Sequence, residues 1–319
     1  MSSQQETFRT AAYGGPGWSQ RTQSLAEEIG GVWGGFSVDS EWRKLEAVLL
    51  HRPGEELAES LEDHDAVQML APVDLGKAQA QHDAMAEAYR ANGVIVHYVD
   101  PAERPSPNQM FCADLFFMTH EGAILARPAS TVRAGEERQV QRRLADLGVP
   151  ILRGLSGRAT FEGADAMWLD EATIIVGRGL RTNGATIEQI WQYALDASLE
   201  LIAVDMPYGT MHLMGMLRIF DRDLAMAWPR LTPHAAVEAL RDRGYEVGFL
   251  PDLDYTSLGR AFNVVTLGPR RILMVAGYPE VERAYEAHGV ECVTVEADEL
   301  VKAAGAVGCL TGILSRERL

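Results

Sequence analysis

The chain has 319 residues, 47% of them hydrophobic, enough to bury a sizeable core as one large domain or two smaller ones. With 29 Lys and Arg against 45 Asp and Glu, the formal net charge is −16, which argues against a polyanion partner because nucleic-acid binding relies on clustered cations. Three cysteines without a C-x-x-C pair, no apolar signal-peptide core in the first 30 residues and no run of about 18 apolar residues predict a soluble cytoplasmic protein with no membrane partner.

Residues 1–36, broken by GGPGW and GGVWGG, read as an irregular arm laid over the body, with Trp18 or Trp33 available to anchor it over a pocket or a subunit interface. Residues 37–319 read as a single catalytic domain in which one unit recurs. An apolar or β-branched run is followed by a Gly/Pro/Asp turn, often a second run, then an amphipathic helix and a further strand. LEAVLLHRPG leads to a helix over 74–92 and then VIVHYVD; GAILARPA leads to a helix over 135–147 and then PILRGL. MWLDEATIIVG precedes a helix over 185–198 and LELIAVD, and MLRIFDRDLAMAW precedes a helix over 234–243 and YEVGFLP. FNVVTLGPRRILMVA precedes a helix over 279–287 and ECVTVEA. Five similar units of 45–60 residues predict an α/β fold, with a closed radial array favoured over an open doubly wound sheet. Neither G-x-G-x-x-G after the first strand nor G-x-x-x-x-G-K-[ST] is present, so nucleotide-binding fingerprints are lacking.

Taken singly, the chemistry-bearing residues are ambiguous. His212, in TMHLMGMLRIFD, is either a core histidine satisfied by backbone groups or a catalytic imidazole. Cys309, in GAVGCLTGIL, is a small buried hydrophobe or a thiol whose flanking glycines admit a ligand; Cys112 and Cys292 read as packing. FEGADAMWLD places Glu162 and Asp165 around a glycine, and NQMFCADLFF places Asp114 ahead of three bulky apolar residues. A carboxylate in such a place is a turn residue or the partner of a buried cation. Arg133 and Arg181 follow strands and read as surface arginines or as a bidentate clamp for a carboxylate.

Together, over roughly residues 40–319, these segments resemble the guanidino-group-modifying superfamily of arginine deiminases, dimethylarginine dimethylaminohydrolases and amidinotransferases. The resemblance lies in ordered motifs: LEAVLLHRPGEEL, PNQMFCADLFFM, GAILARPASTVRAGEE, FEGADAMWLDEATIIVGRGLRTN, MHLMG and GCLTGIL. It implies a five-bladed α/β propeller of ββαβ units, in agreement with the five units above, and no metal or organic cofactor. It also assigns roles: Cys309 as nucleophile, His212 as general acid and base, and Glu162 and Asp114 as carboxylates at the guanidinium. Asn108 and Phe111 line the pocket, and Arg133 and Arg181, each 19 residues after its carboxylate, hold the substrate carboxylate. The helical insertion of bacterial arginine deiminases is missing, since 57 residues separate His51 from Asn108.

Two positions depart from the pattern. Met214 stands where deiminases and the glycine amidinotransferase carry Asp, and Ala113 stands where deiminases usually carry Arg. A thioether in place of a carboxylate removes an acceptor for a guanidinium NH₂ and favours a substituted guanidine. Dimethylargininases also lack this Asp, yet their equivalent of Asn108 differs. The expected activity is hydrolysis of arginine or an N-substituted arginine to citrulline and ammonia or an amine. The alternatives are amidino transfer to an amine and, from another class, non-catalytic binding of a guanidino compound. The expected partner is a small guanidino substrate; homo-oligomerisation is left open.

Overall fold

The computed structural model describes residues 7–251, 260 and 262–318. Its strands form five three-stranded sheets, none closed into a barrel. The first contains β1 (Leu45–Leu50) and β2 (Ile95–Tyr98), the second β3 (Phe116–Met118), β4 (Ala123–Leu125) and β5 (Ile151–Arg153). The third contains β6 (Ala166–Asp170), β7 (Thr173–Arg178) and β8 (Glu200–Asp205); the fourth β9 (Leu217–Asp221), β10 (Leu224–Ala227) and β11 (Glu246–Phe249). The fifth contains β12 (Val265–Gly268), β13 (Arg271–Val275) and β14 (Glu291–Val295). In sheets two to five the first two strands pair antiparallel across a tight turn, and the third joins parallel to the second. A parallel neighbour needs a long crossover, and each is supplied by a helix.

Those helices are α1 (Leu75–Ala91), α2 (Glu136–Asp146), α3 (Gly184–Asp196), α4 (His234–Asp242) and α5 (Pro279–Ala287). Helix α1 starts where the Asp74 carboxylate accepts from the Lys77 amide, and α3 where Asn183 accepts from Thr186. Pro279 opens α5, where its fixed φ fits and its missing N–H costs nothing. Along α1, Ala78, His82, Met85, Ala86 and Tyr89 recur at helical spacing and are the buried face.

The first sheet is completed from the other end of the chain. Strand β15 (Gly312–Arg316) pairs antiparallel with β1, so this sheet has the same antiparallel–parallel pattern, with its first strand drawn from the C-terminus. Neighbouring sheets touch in chain order, and β12 of the fifth touches β1 of the first. First and second strands such as β3, β4, β9 and β10 are buried, whereas β2, β5 and β8 are partly exposed. The entries to the first strands therefore face the interior of the array.

The end of the arm touches the first two sheets: the Gly34 amide donates to the Gly148 carbonyl before β5, and the Phe36 ring meets His97 of β2 edge-on. Trp18 is 58% exposed, while the Trp33 backbone forms a β-bridge with Ile29 within the arm. Among the described residues no helix is long and apolar enough to cross a membrane.

Candidate active site

Each sheet is entered through a turn that carries one polar or thiol side chain. Asp114 ends the turn Cys112–Asp114 before β3, Glu162 precedes Gly163–Asp165 before β6, and His212 precedes Leu213–Gly215 before β9. Asn263 lies just before β12, and Cys309 lies in the helical turn Val307–Leu310 before β15. Glycine lets these turns pack closely. A Cβ on Gly163 would come 2.2 Å from the Phe116 carbonyl oxygen and 2.6 Å from that of Ala113. A Cβ on Gly308 would come 2.5 Å from Arg218 Nη2, so this guanidinium rests on the backbone beside Cys309.

His212 Nε2 is 2.6 Å from Glu162 Oε2, and His212 Nδ1 is 3.8 Å from Asp114 Oδ1. All three side chains are buried. Burial alone would drive the imidazole neutral, but the Asp114 charge and the hydrogen bond and charge of Glu162, with Asp165 behind them, raise its pKa above the ordinary value. Burial alone would raise Glu162, but the hydrogen bond and charge of His212, then Arg133 and Arg181, hold it below the ordinary value. The pair is an imidazolium–carboxylate ion pair. An imidazolium so placed can donate a proton to a departing nitrogen and, once neutral, accept one from water.

Asn263 grips Cys309 at both its thiol and its amide. Asn263 Nδ2 donates to Sγ at 2.9 Å, and the Cys309 amide donates to Asn263 Oδ1 at 3.0 Å. Burial, then the Asp114 charge, raises the thiol pKa; the Asn263 donor, the backbone at Ala306 and the Arg218 charge pull it back, leaving it raised overall. The resting sulfur is therefore a thiol at neutral pH, and a cation arriving beside it favours the thiolate.

Two cavities meet at His212 and Cys309. The smaller, about 30 Å³, also holds Asn108, Phe111, Asp114, Arg133 and Arg181; the larger, about 280 Å³, has walls of Met214, Met216, Trp228 and Leu231. No described arm residue lines either cavity. In the smaller cavity Asn108 Nδ2 donates to the Val67 carbonyl at 2.9 Å, and the Arg133 guanidinium stands 5.7 Å over the Phe111 ring.

The two arginines lie on the carboxylates expected to receive substrate. Arg133 Nη1 is 2.7 Å from Asp114 Oδ2 and 3.4 Å from Glu162 Oε2, while its Nε donates to Glu136 Oε2 at 3.0 Å. Arg181 Nη1 is 3.3 Å from Glu162 Oε1. Asp114 Oδ1 is buried and has no hydrogen-bond partner, which leaves one acceptor aimed into the site. Donor atoms of Asp114, Glu162 and His212 lie within 4.8 Å of one another, a spacing that also suits a cation ligand set; here Arg133 occupies Asp114 Oδ2 and the imidazole occupies Glu162 Oε2.

Comparison with known proteins places this geometry. Residues 71–312 match the family described as N,N dimethylarginine dimethylhydrolase, eukaryotic. The chain is 31% identical over 272 residues to the N(G),N(G)-dimethylarginine dimethylaminohydrolase of Streptomyces coelicolor, a match covering 82% of this chain and 95% of that one. The chain belongs to the dimethylarginine dimethylaminohydrolase family. Within the same guanidino-modifying superfamily, the fold is similar to that of the Pseudomonas aeruginosa dimethylarginine dimethylaminohydrolase, solved with citrulline. The TM-score is 0.71 at 21% identity, covering 86% of this chain and 100% of that one. It is also similar to an amidinotransferase of saxitoxin biosynthesis from Microseira wollei, with a TM-score of 0.75 at 15% identity, covering 90% of this chain and 98% of that one.

In this member of the family the structure brings Asn108, Phe111, Asp114, Arg133, Arg181, His212 and Cys309 to one small cavity, with Glu162 bonded to His212 and Met214 on the wall of the larger one. Three further residues belong with them. Asp165 is no exposed turn residue: it is buried, accepts from Thr182 Oγ1 at 2.6 Å and from the Leu213 amide at 3.0 Å, and so holds the backbone that carries His212. Arg218 and Asn263 complete the surroundings of Cys309. Asn263 carries a signal the sequence reading passed over, since each unit puts a functional side chain just before its first strand and FNVVTL follows that rule.

Proposed function

We propose that the protein hydrolyses the guanidino group of arginine or an N-substituted arginine through a covalent intermediate on Cys309, releasing citrulline and ammonia or an amine. The observation that carries the proposal is that His212, ion-paired to Glu162 at 2.6 Å, and Cys309, held by Asn263 at 2.9 Å, line the same small cavity. The guanidinium would displace Arg133 from Asp114 and Glu162, and the released Arg133, with Arg181, would turn to the substrate carboxylate. Cys309 would then attack the central carbon, His212 would protonate the departing nitrogen, and the neutral imidazole would activate water to release the thiolate. The five repeated sheets support reading residues 37–319 as a five-bladed α/β propeller, with 1–36 as an arm; the few cysteines, without a C-x-x-C pair, support the cytoplasm as the setting.

A second reading, amidino transfer, is favoured by the volume of the larger cavity, which leaves room for an amine beside Cys309 and His212. Mass spectrometry of products separates the two. Citrulline formed from arginine or dimethylarginine without added amine supports the hydrolase. Ornithine with a new amidino compound, formed only when an amine is supplied, replaces it with the transferase.

A further inference from the structure

The larger cavity identifies the substituent. It shares His212 and Cys309 with the smaller cavity, whereas Asp114, Arg133 and Arg181 line only the smaller one. A substrate whose amino-acid end meets the arginines and whose central carbon meets Cys309 must send its outer nitrogen toward Met214. Beyond that point the cavity is walled by Met216, Trp228 and Leu231, with Trp228 held in a near-parallel stack on Phe262, ring centroids 6.3 Å apart. No Asp or Glu is among its described lining residues, while Arg218 and Arg260 are. An unsubstituted NH₂ finds no carboxylate there, and an ammonium group meets like charge. Size decides the rest. An apolar cavity of about 150 Å³ admits a benzene ring, and this one, at about 280 Å³, exceeds what two methyl groups fill. The methionines can reshape around an irregular hydrocarbon, and Trp228 offers a flat face to a ring.

We infer that this enzyme acts on arginines whose outer guanidino nitrogen carries a bulky, uncharged hydrocarbon group, aromatic or branched, seated against Met214, Met216, Trp228 and Leu231. The inference rests on the hydrolase reading above. As the cationic substrate arrives, the Cys309 thiol proton passes to solvent and Sγ forms the C–S bond; the bond from carbon to the substituted nitrogen breaks, its electron pair stays on that nitrogen, and His212 supplies the proton, so the substituent leaves as a primary amine. Water then adds to the carbon and gives one proton to His212; as the C–S bond breaks, the remaining hydroxyl proton passes to solvent, leaving citrulline and the thiolate.

The test compares kcat/KM for arginine, Nω,Nω-dimethylarginine, Nω-benzylarginine and Nω-carboxymethylarginine, following citrulline and released amine. Calorimetric binding of the same compounds to Cys309→Ser is measured in parallel. At roughly fourfold per buried methylene, the benzyl compound exceeds dimethylarginine by at least about tenfold in kcat/KM and in affinity. Leu231→Trp, checked for native melting behaviour, lowers the benzyl-to-dimethyl ratio. Citrulline from dimethylarginine with a benzyl ratio of one or less, or a preference for the carboxymethyl compound, overturns the inference and leaves the hydrolase reading intact. If no compound yields citrulline, the hydrolase reading fails. Binding then decides the cavity: benzyl preference upholds its assignment, and equal affinities overturn it.

Discussion

Arg133 Nη1 lies 2.7 Å from Asp114 Oδ2, so the carboxylate that would receive a substrate guanidinium already holds one from the chain itself. The same arginine is tied to Glu136 and Glu162, and all four side chains are buried. Three clustered carboxylates without their cation would repel one another in a medium that solvates them poorly. Burial, with the neighbouring Asp114 charge, already raises the Glu136 pKa against the pull of Arg133 and Ser106. Arg133→Ala should therefore destabilise the fold by about 3–5 kcal/mol, the usual result of removing one partner of a buried ion pair. Millimolar guanidinium chloride should raise the melting temperature of this variant more than that of the native protein, because the ion fits the vacated position. Equal effects of guanidinium on both proteins would show that Arg133 does not stand in the cation site.

Loss of the two reacting groups should be unequal. Cys309→Ala should remove citrulline formation by at least about 10³-fold, since no other group can form the covalent intermediate. His212→Ala should cost about 10²–10⁴-fold, the range for one general acid–base group. The His212 change also leaves Glu162 with Arg133, Arg181 and the Ala129 amide as remaining partners, so the fold should persist. Turnover by either variant at the native rate would refute the assignment.

The Asn263 amide and the Arg218 charge both bear on the Cys309 sulfur. A positive charge or a hydrogen-bond donor favours the thiolate over the thiol. Arg218→Met and Asn263→Ala should each move the pH midpoint of Cys309 alkylation by iodoacetamide upward, read by mass mapping of the Cys309 peptide. Cys292, which burial pushes up to about 12, is a slow internal reference. A midpoint unchanged in both variants would leave the two residues a packing role only.

Met214→Asp restores an acceptor on the wall of the larger cavity next to His212 and Cys309. One N–H left unpaired in a buried site costs about 1–3 kcal/mol, so the ratio of kcat/KM for arginine over a substituted arginine should rise about 5- to 100-fold. No change in that ratio would remove Met214 from the account of specificity.

The helices were legible because each is an uninterrupted amphipathic run between turn residues. Observed bounds such as Glu136–Asp146 and Pro279–Ala287 fall within two residues of those read from sequence. Strand β15 was not assigned to the first sheet, because its partner β1 lies at the far end of the chain and no local pattern names it. The residues gathered here were named through the resemblance of their motifs to a known superfamily, being ambiguous taken singly, and the state of the arginines was not legible at all. Whether Arg133 faces solvent, substrate or Asp114 depends on how far the turn Thr131–Arg133, after β4, sits from the turn Cys112–Asp114, before β3, and that is set by the packing at the two ends of one sheet unit rather than by local sequence. Asp165 reads as a turn carboxylate until Thr182 and Leu213 are brought to it from two other segments.

Asp165 gives a pH signature whose sign is fixed by its surroundings. Burial raises its pKa to about 6, against the pull of His212, the Thr182 hydroxyl and the Leu213 amide. Unfolded, it titrates near 3.9. The native protein thus holds this proton more tightly than the unfolded chain, and the corresponding stability is present below about pH 4 and is lost as pH rises through about 6. Two pKa units correspond to about 2–3 kcal/mol. In Asp165→Asn the amide oxygen still accepts the Leu213 N–H, and the Thr182 hydroxyl can rotate to accept from the amide NH₂, while no charge remains to be buried. The native protein's stability relative to this variant should therefore fall between pH 4 and pH 6.5, measured by urea unfolding at each pH, and the variant should gain the advantage at the upper end. Because Asp165 holds the backbone at Leu213, the same substitution reports on His212: kcat should drop with KM little changed if the charge steadies the imidazolium. An unchanged kcat with the predicted shift in stability would confine Asp165 to the fold.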